Sequence, residues 1–249
     1  MFPRTDHRIE AILFDMNGTL RKRVPDEAWQ RRSLERLLVM LGRPDAPTSF
    51  LDELARRYKS YTKWANEHAI SLPEEEIWSR WIAPELLPRQ VESQAAELML
   101  VIRNCRGRAI LKPDAAVVIP ALSRRGYRMG VISNTTSTLD LPRFIEECGL
   151  EKYFEVVILS SVCGVRKPDP EIFWKATRQM QLKPEQCAYL GNKISTDVVG
   201  PRRAGYGMAM IVEAKPTATD ILSVPIEKPD AVIHELGELL DLFPPLAGR

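Results

Sequence analysis

The most constraining feature of this chain is a rhythm that begins at Lys112, where short apolar runs alternate with stretches of helical spacing. The runs are Arg128–Ser133, Val156–Ser160, Cys187–Leu190 and Met208–Val212. Apolar residues in unbroken succession, rather than in alternation with polar ones, suit strands buried on both faces. The helices between them provide right-handed crossovers, so the pattern predicts an α/β fold with a parallel sheet. Helices are expected at Asp114–Arg125, where Pro120 should kink or delay the helix, and at Leu141–Cys148, Pro170–Met180 and Thr196–Ala204. Ala231–Ile233 is expected as an edge strand before a last helix, Glu235–Leu242.

A run of the same kind stands far upstream. Within Ile9–Leu20, Ala11-Ile12-Leu13-Phe14 delivers Asp15 to its end and stops in Asn17-Gly18-Thr19. Ligands of open α/β sheets bind beyond the carboxyl ends of the strands, which puts Asp15 where a reactive acid belongs. Asp-x-x-Gly-Thr also suits a plain turn. Between this run and the rest lie about 80 residues of helical spacing, entered through the basic connector Arg21-Lys22-Arg23-Val24-Pro25. Asp26 can cap a first helix with Leu34, Leu37, Leu38 and Leu41 on one face, ended by Gly42-Arg43-Pro44. A second helix runs from Thr48 to Ala65. A third starts at a Ser71–Glu74 capping box, and a fourth spans Glu92–Arg103. Four helices and no strand are expected, giving an inserted helical domain at residues 23–110 and an α/β core at 1–22 and 111–249.

After the first run come, in order, Ser133-Asn134 behind a core strand, Lys167-Pro168-Asp169-Pro170, and Gly191-Asn192 with Asp197. Taken singly, Ser-Asn suits a turn or cap and Lys-Pro-Asp-Pro suits a helix start. As an ordered set they resemble the haloacid dehalogenase superfamily, whose phosphatases carry Asp-x-Asp-Gly-Thr in the first motif. The resemblance covers roughly Ile9–Leu20 and Lys112–Val212 and implies a Rossmann-like parallel sheet core with an inserted all-helical cap. It further implies Asp15 as nucleophile, Lys167 as the cation that stabilises it, and Thr19, Ser133 and Asn134 as phosphate-binding residues. Magnesium ligands would be Asp15, Asn17 through its carbonyl, Asn192 and Asp197.

Two positions depart from that pattern. Asn17 stands where the phosphatases place an acid that protonates the leaving oxygen, and a carboxamide cannot transfer that proton; such groups contribute typically ~10²–10⁴ in rate. Asn192 stands where a carboxylate would face the metal, so magnesium, though expected, should be held weakly. A metal-independent 2-haloacid dehalogenase would use the same nucleophile without those carboxylates, although Phe173 stands where the dehalogenase pattern has a tyrosine. A catalytically weak or inactive ligand-binding relative is the third alternative. Substrate choice in capped members comes from the cap, where Arg21, Lys22, Arg23, Arg31, Arg32, Tyr58, Tyr61 and Trp64 are the candidates.

A net charge of +2, with basic residues only in short groups, gives no reason to expect nucleic acid, and a small anionic substrate is the expected partner. With no apolar run near ~20 residues and no signal-like N-terminus, a cytoplasmic location is expected. Cys105, Cys148, Cys163 and Cys187 lack Cys-x-x-Cys spacing and are expected as reduced, mostly buried thiols.

Overall fold

The computed structural model describes residues 9–86, 91, 93–213 and 228–246. Eight strands and the helices between them build a six-stranded parallel sheet and a two-stranded ribbon. In the sheet, β1 (Ala11–Phe14) lies between β4 (Arg128–Ser133) and β6 (Cys187–Gly191). β5 (Val156–Leu159) flanks β4, while β7 (Met208–Val212) and β8 (Ala231–Ile233) extend the other side. All five pairings are parallel, and β1 is in register with both neighbours: Phe14 faces Val131 on one side and Leu190 on the other. β1 therefore has no edge, which explains why all four of its residues are apolar and buried.

One layer over the sheet includes α4 (Ala115–Arg124) and α5 (Asp140–Glu147), whose Val118, Ile119, Leu122, Leu141 and Phe144 pack on Ile12, Phe14, Val131 and Leu190. The other includes α6 (Pro170–Met180), with Ile172, Phe173 and Ala176 against Leu13, Ile132 and Tyr189. α4 begins at Ala115 and runs through Pro120, so the proline does not delay its start. The expected Thr196–Ala204 helix is divided into a turn, Ile194–Asp197, and α7, Val199–Arg203.

Between β2 (Arg21–Val24) and β3 (Arg108–Leu111) come α1 (Glu27–Met40), α2 (Thr48–His68), a π-helical stretch Ile77–Ile82 and α3 (Ala95–Asn104). These helices enclose their own core, with Leu37, Leu54, Tyr61, Trp78, Leu98 and Met99 at its centre. The expectation of no strand here is wrong: Arg21–Val24, taken as a connector, pairs antiparallel with Arg108–Leu111. Basic side chains masked a strand because most of them lie outside the sheet core, on a two-stranded ribbon. Asp26 caps α1 as expected, accepting from Trp29 N at 3.0 Å. The Ser71–Glu74 capping box does not form. Ser71 Oγ donates to Ser160 Oγ, and Glu74 accepts from Thr138 N and Oγ1, so both side chains tie the helical region to the loops after β4 and β5.

Backbone pairing reinforces that junction. Ile70 and Val165 form an antiparallel bridge, with Ser71 N donating to Gly164 O at 2.8 Å and Arg166 N to Ala69 O at 3.0 Å. The four cysteines are free; Cys187 is buried and the other three half-buried. No described helix is long and apolar enough to cross a membrane.

Candidate active site

β1 hands the chain to a loop that closes on itself. Leu20 and Arg21 both donate N–H to Met16 O, at 3.1 and 2.9 Å, and Gly18 N donates to Arg21 O at 2.7 Å. Gly18 sits at φ +91°, and a Cβ there would lie 2.3 Å from the amide nitrogen of Asn192, so glycine is required twice over. At the start of this loop Asp15 is buried, its Oδ2 3.4 Å from Thr19 Oγ1.

The ammonium of Lys167 is the hub. Nζ donates to Asp15 Oδ1 at 2.9 Å, to Asp197 Oδ1 at 2.7 Å and to the Tyr189 hydroxyl at 2.8 Å, which engages all three of its hydrogens. The phenol in turn donates to Ile132 O at 2.9 Å. Asn134 holds the lysine's main chain from both sides, accepting from its N–H at 2.8 Å and donating to its carbonyl at 2.9 Å. Burial opposes a charge on Lys167, but the two carboxylates outweigh it and hold the ammonium's pKa above the ordinary lysine value. Burial pushes the Asp15 carboxyl upward and Asp197 adds to this, while Lys167 pulls it down. Burial, with Asp197 and Asp15 nearby, drives Tyr189 well above the usual phenol range and keeps it a neutral bridge.

Asp197 has little left to offer beyond this hub: its Oδ2 accepts from the backbone N–H groups of Asn192 and Lys193, both at 3.0 Å. The Asn17 side chain is also fixed, its Oδ1 accepting from Arg21 Nε at 2.9 Å. Ser133, at the end of β4, is fully buried, and its hydroxyl has no hydrogen-bond partner among the described residues. Such an orphan is uncommon in a protein interior and marks a place where an added acceptor or donor would be welcome.

Beside this centre lies a second charged cluster that spans the helical region and the core. Asp140 accepts from Arg21 Nη2 at 2.5 Å and Nη1 at 3.4 Å, and from Arg103 Nε at 3.0 Å and Nη2 at 2.8 Å; Arg23 Nη2 stands 3.6 Å away. Burial opposes ionisation of Asp140, yet Arg103 and Arg21 hold its carboxyl well below the usual range. Arg103 Nη1 also reaches Thr136 Oγ1 at 3.2 Å, and Thr136 meets the Tyr58 hydroxyl at 2.7 Å. Arg166, next to Lys167, is buried, and among the described residues its hydrogen-bond partners are neutral: Asn66 Oδ1 and Ser71 Oγ, both at 2.9 Å, and more distantly Ser160 Oγ and Thr135 O.

Of the residues expected from sequence, Asp15, Thr19, Lys167 and Asp197 come together, while Asn192 packs beside Gly18 and Asn17 turns its side chain to Arg21. Tyr58 and Arg23 reach the junction between the helical region and the loops after β4, through Thr136 and Asp140. Tyr61 and Trp64 do not: they stack with Trp81 inside the helical region, and Tyr61 accepts from Leu72 N. Lys22, Arg31 and Arg32 are exposed. Sequence reasoning missed Tyr189, Arg103, Asp140 and Arg166. The available signal for Tyr189 was a phenol inside an otherwise apolar strand. Phe173, at the dehalogenase tyrosine position, packs edge-on against the Tyr189 ring with centroids 5.1 Å apart, so a hydroxyl on the lysine is provided from β6 instead.

Among the described residues, no three His, Cys, Asp or Glu side chains gather as ligands for a metal. The donors expected for a metal are all oxygens: Asp15 and Asp197, which meet on Lys167, with the Asn192 amide and the Asn17 main chain. That set fits magnesium in kind but has only two carboxylates, both already on Lys167.

Comparison with known proteins bears on this geometry. A family model described as haloacid dehalogenase-like hydrolase matches residues 9–205. Glyceraldehyde 3-phosphate phosphatase of Methanopyrus kandleri is 27% identical, over 96% of the chain and 99% of the relative. Phosphoglycolate phosphatase of Nitrosococcus oceani is 26% identical, over 94% and 96%. In fold, the 2-haloacid dehalogenase of Pseudomonas syringae pv. Tomato superposes with a TM-score of 0.66 at 20% identity, covering 94% of the chain and 97% of that structure.

Proposed function

Because the chain belongs to the haloacid dehalogenase-like hydrolases, we propose that it is a phosphomonoesterase-type hydrolase for a small anionic substrate, with Asp15 as nucleophile. The observation that most supports this is the Lys167 ammonium locked between Asp15 and Asp197. It counters the burial that pushes the Asp15 carboxyl upward, favouring the carboxylate that attacks, and places a fixed positive charge beside the negative charge that gathers on the transferring group. The unpartnered Ser133 hydroxyl is the group free to receive a phosphoryl oxygen, and Thr19 steadies Asp15. Asn134 acts one step back, by fixing the backbone of Lys167. Residues 23–110 serve as a cap that covers the carboxyl ends of the strands, and the names of the full-length relatives, both phosphatases, agree with the reaction.

In this reading Asp15 Oδ attacks phosphorus, the ester oxygen departs with the electron pair, and water then splits the aspartyl phosphate to return the carboxylate and release phosphate. Asn17 lies on the loop beside the departing oxygen as a hydrogen-bonding group that cannot give it a proton. Magnesium, if bound, would be held by Asp15, Asn17 O, Asn192 and Asp197 and would neutralise phosphoryl charge. With an amide at 192 and Asp197 engaged by Lys167 and two N–H groups, it is held weakly.

One observation favours a second reading. The Tyr189 hydroxyl on Lys167 restores the lysine–phenol pairing of the dehalogenase pattern, and a dehalogenase would attack carbon and expel halide without metal. The deciding experiment measures phosphate release from phosphate esters and halide release from a 2-haloacid, with and without chelator, for the wild type and Asp15→Asn. Phosphate release abolished by Asp15→Asn is expected. Halide release alone would establish the second reading, and neither release would leave a binding protein.

A further inference from the structure

Asn17 is not free to rotate, and the reason lies four residues along. Arg21 Nε can only donate, so the Asn17 atom 2.9 Å from it is the amide oxygen, and the amide nitrogen must point away from Arg21. That nitrogen has no hydrogen-bond partner among the described residues. Arg21 is itself immobilised. Its Nη atoms are engaged by Asp140, its guanidinium lies over the Phe144 ring at 4.9 Å, and it is almost completely buried. The backbone repeats the constraint, since Asn17 and Arg21 form a bridge and Gly18 N donates to Arg21 O. A guanidinium that serves one partner through Nε and another through its Nη edge is a rigid fork that lysine could not replace.

We propose that Arg21 is a positioning residue that presents the Asn17 amide N–H₂ to the reacting group. It thereby confines the enzyme to phosphate esters whose leaving oxygen departs as a stable anion, such as acidic aryl phosphates. The inference rests on the phosphatase reading above and adds the substrate class to it. When Asp15 Oδ bonds to phosphorus and the P–O bond breaks, the pair stays on the leaving oxygen. The Asn17 N–H donates a hydrogen bond to that oxyanion without yielding its proton, which the leaving group later takes from solvent. Neither carboxyl on Lys167 stands ready as that acid: Asp15 is the attacking group, and both oxygens of Asp197 are engaged by Lys167 and by two backbone N–H groups. An amide so placed stabilises an anion already able to leave and does little for an alkoxide, which needs the proton.

The test is the dependence of kcat/KM on leaving-group acidity, using aryl phosphates of graded phenol acidity and a simple alkyl phosphate, with the protein as it stands. A steep fall is expected, with the alkyl ester slower than the most acidic aryl ester by about 10²–10⁴-fold, the usual worth of proton transfer by a positioned group. Asn17→Ala should lower kcat on the aryl esters on the order of a hundredfold, as loss of one donor to developing charge does. Arg21→Gln, which frees the amide to flip, should shift kcat in the same direction by less, most for the least acidic phenols, with KM nearly unchanged. A shallow dependence in the wild type overturns the inference and needs no variant that must fold. So does an Arg21→Gln effect equal on every ester, which a merely structural role would give. If no ester yields Asp15-dependent phosphate release, the phosphatase reading fails along with it; release with a shallow dependence defeats the inference alone.

Discussion

Asp140→Asn tests the charge balance of the junction between the helical region and the sheet. Among the described residues, Asp140 is the one carboxylate that Arg21, Arg23 and Arg103 face together, at 2.5, 3.6 and 2.8 Å for their closest approaches. The asparagine keeps one acceptor but turns an N–H₂ toward guanidinium donors and removes the counter-charge. At an effective dielectric near 20, each pair about 4 Å apart interacts by roughly 4 kcal/mol before desolvation is deducted. Loss of one partner from a buried ion pair typically costs about 3–5 kcal/mol, and we expect this variant to lie in that range. For a chain of this size that is a fall in Tm of roughly 6–20 °C. Urea unfolding of both proteins, followed by tryptophan fluorescence, measures it. The pH dependence fixes the cause. Because the arginines depress the folded-state pKa of Asp140, its contribution is fully present above the unfolded value of about 3.9. It is lost as pH falls through the folded value, since the unfolded chain takes up the proton first. The stability gap between the two proteins should therefore hold constant from pH 7 to about 5 and close below 4. A variant within about 0.5 kcal/mol of wild type at pH 7 would refute the argument, because that is the range of substitutions touching nothing important.

Ser133→Ala removes a buried hydroxyl without a partner, so stability should be unchanged or slightly raised while phosphate release falls; a clear loss of stability would show that the hydroxyl is satisfied after all. Lys167→Met leaves Asp15 and Asp197 without their shared cation and should abolish turnover and destabilise the fold by several kcal/mol, about the cost of breaking a buried pair, as read by calorimetry. Asn17→Asp with Asn192→Asp should raise magnesium-dependent hydrolysis of an aryl phosphate more than either change alone; simple additivity would count against the shared site. Burial pushes the Cys105 thiol up to about 11 and Cys187 to about 12. Alkylation of both at pH 8 should accordingly be far slower than for a free thiol of pKa about 8.5 and should quicken toward pH 11, with peptide mapping as the readout.

The sheet was legible because every core strand is an unbroken apolar run, and each crossover helix carries its own stripe; from β4 onward the expected strands match within a residue. The ribbon was not. Arg21-Lys22-Arg23 has no alternation to reveal a strand, and its pairing with Arg108–Leu111 joins segments more than eighty positions apart. The cluster on Lys167 followed from residue order, since Asp15, Lys167 and Asp197 belong to the ordered motifs. Arg103 and Asp140 carry no local mark at all: one ends a helix and the other begins one, where such charges ordinarily answer the helix dipole. Only three-dimensional packing shows them facing each other. Ser71 and Glu74 misled because their spacing satisfies a local rule, while the partners that captured them, Ser160 and Thr138, lie far along the chain.

The central place of β1 sets a condition on how the chain can be made. Ala11–Phe14 is synthesised well before either of its two neighbours, Arg128–Val131 and Cys187–Leu190. At about 5–20 residues per second, the nascent strand waits roughly 10–35 s for β6, with four apolar side chains and both hydrogen-bonding edges open. The helices of 27–104 enclose a core of their own and need no such wait. During synthesis, then, a strand made well before its partners is among the last to be secured, and a short sticky strand has to be shielded by chaperones or by its own helical successor until the sheet closes around it.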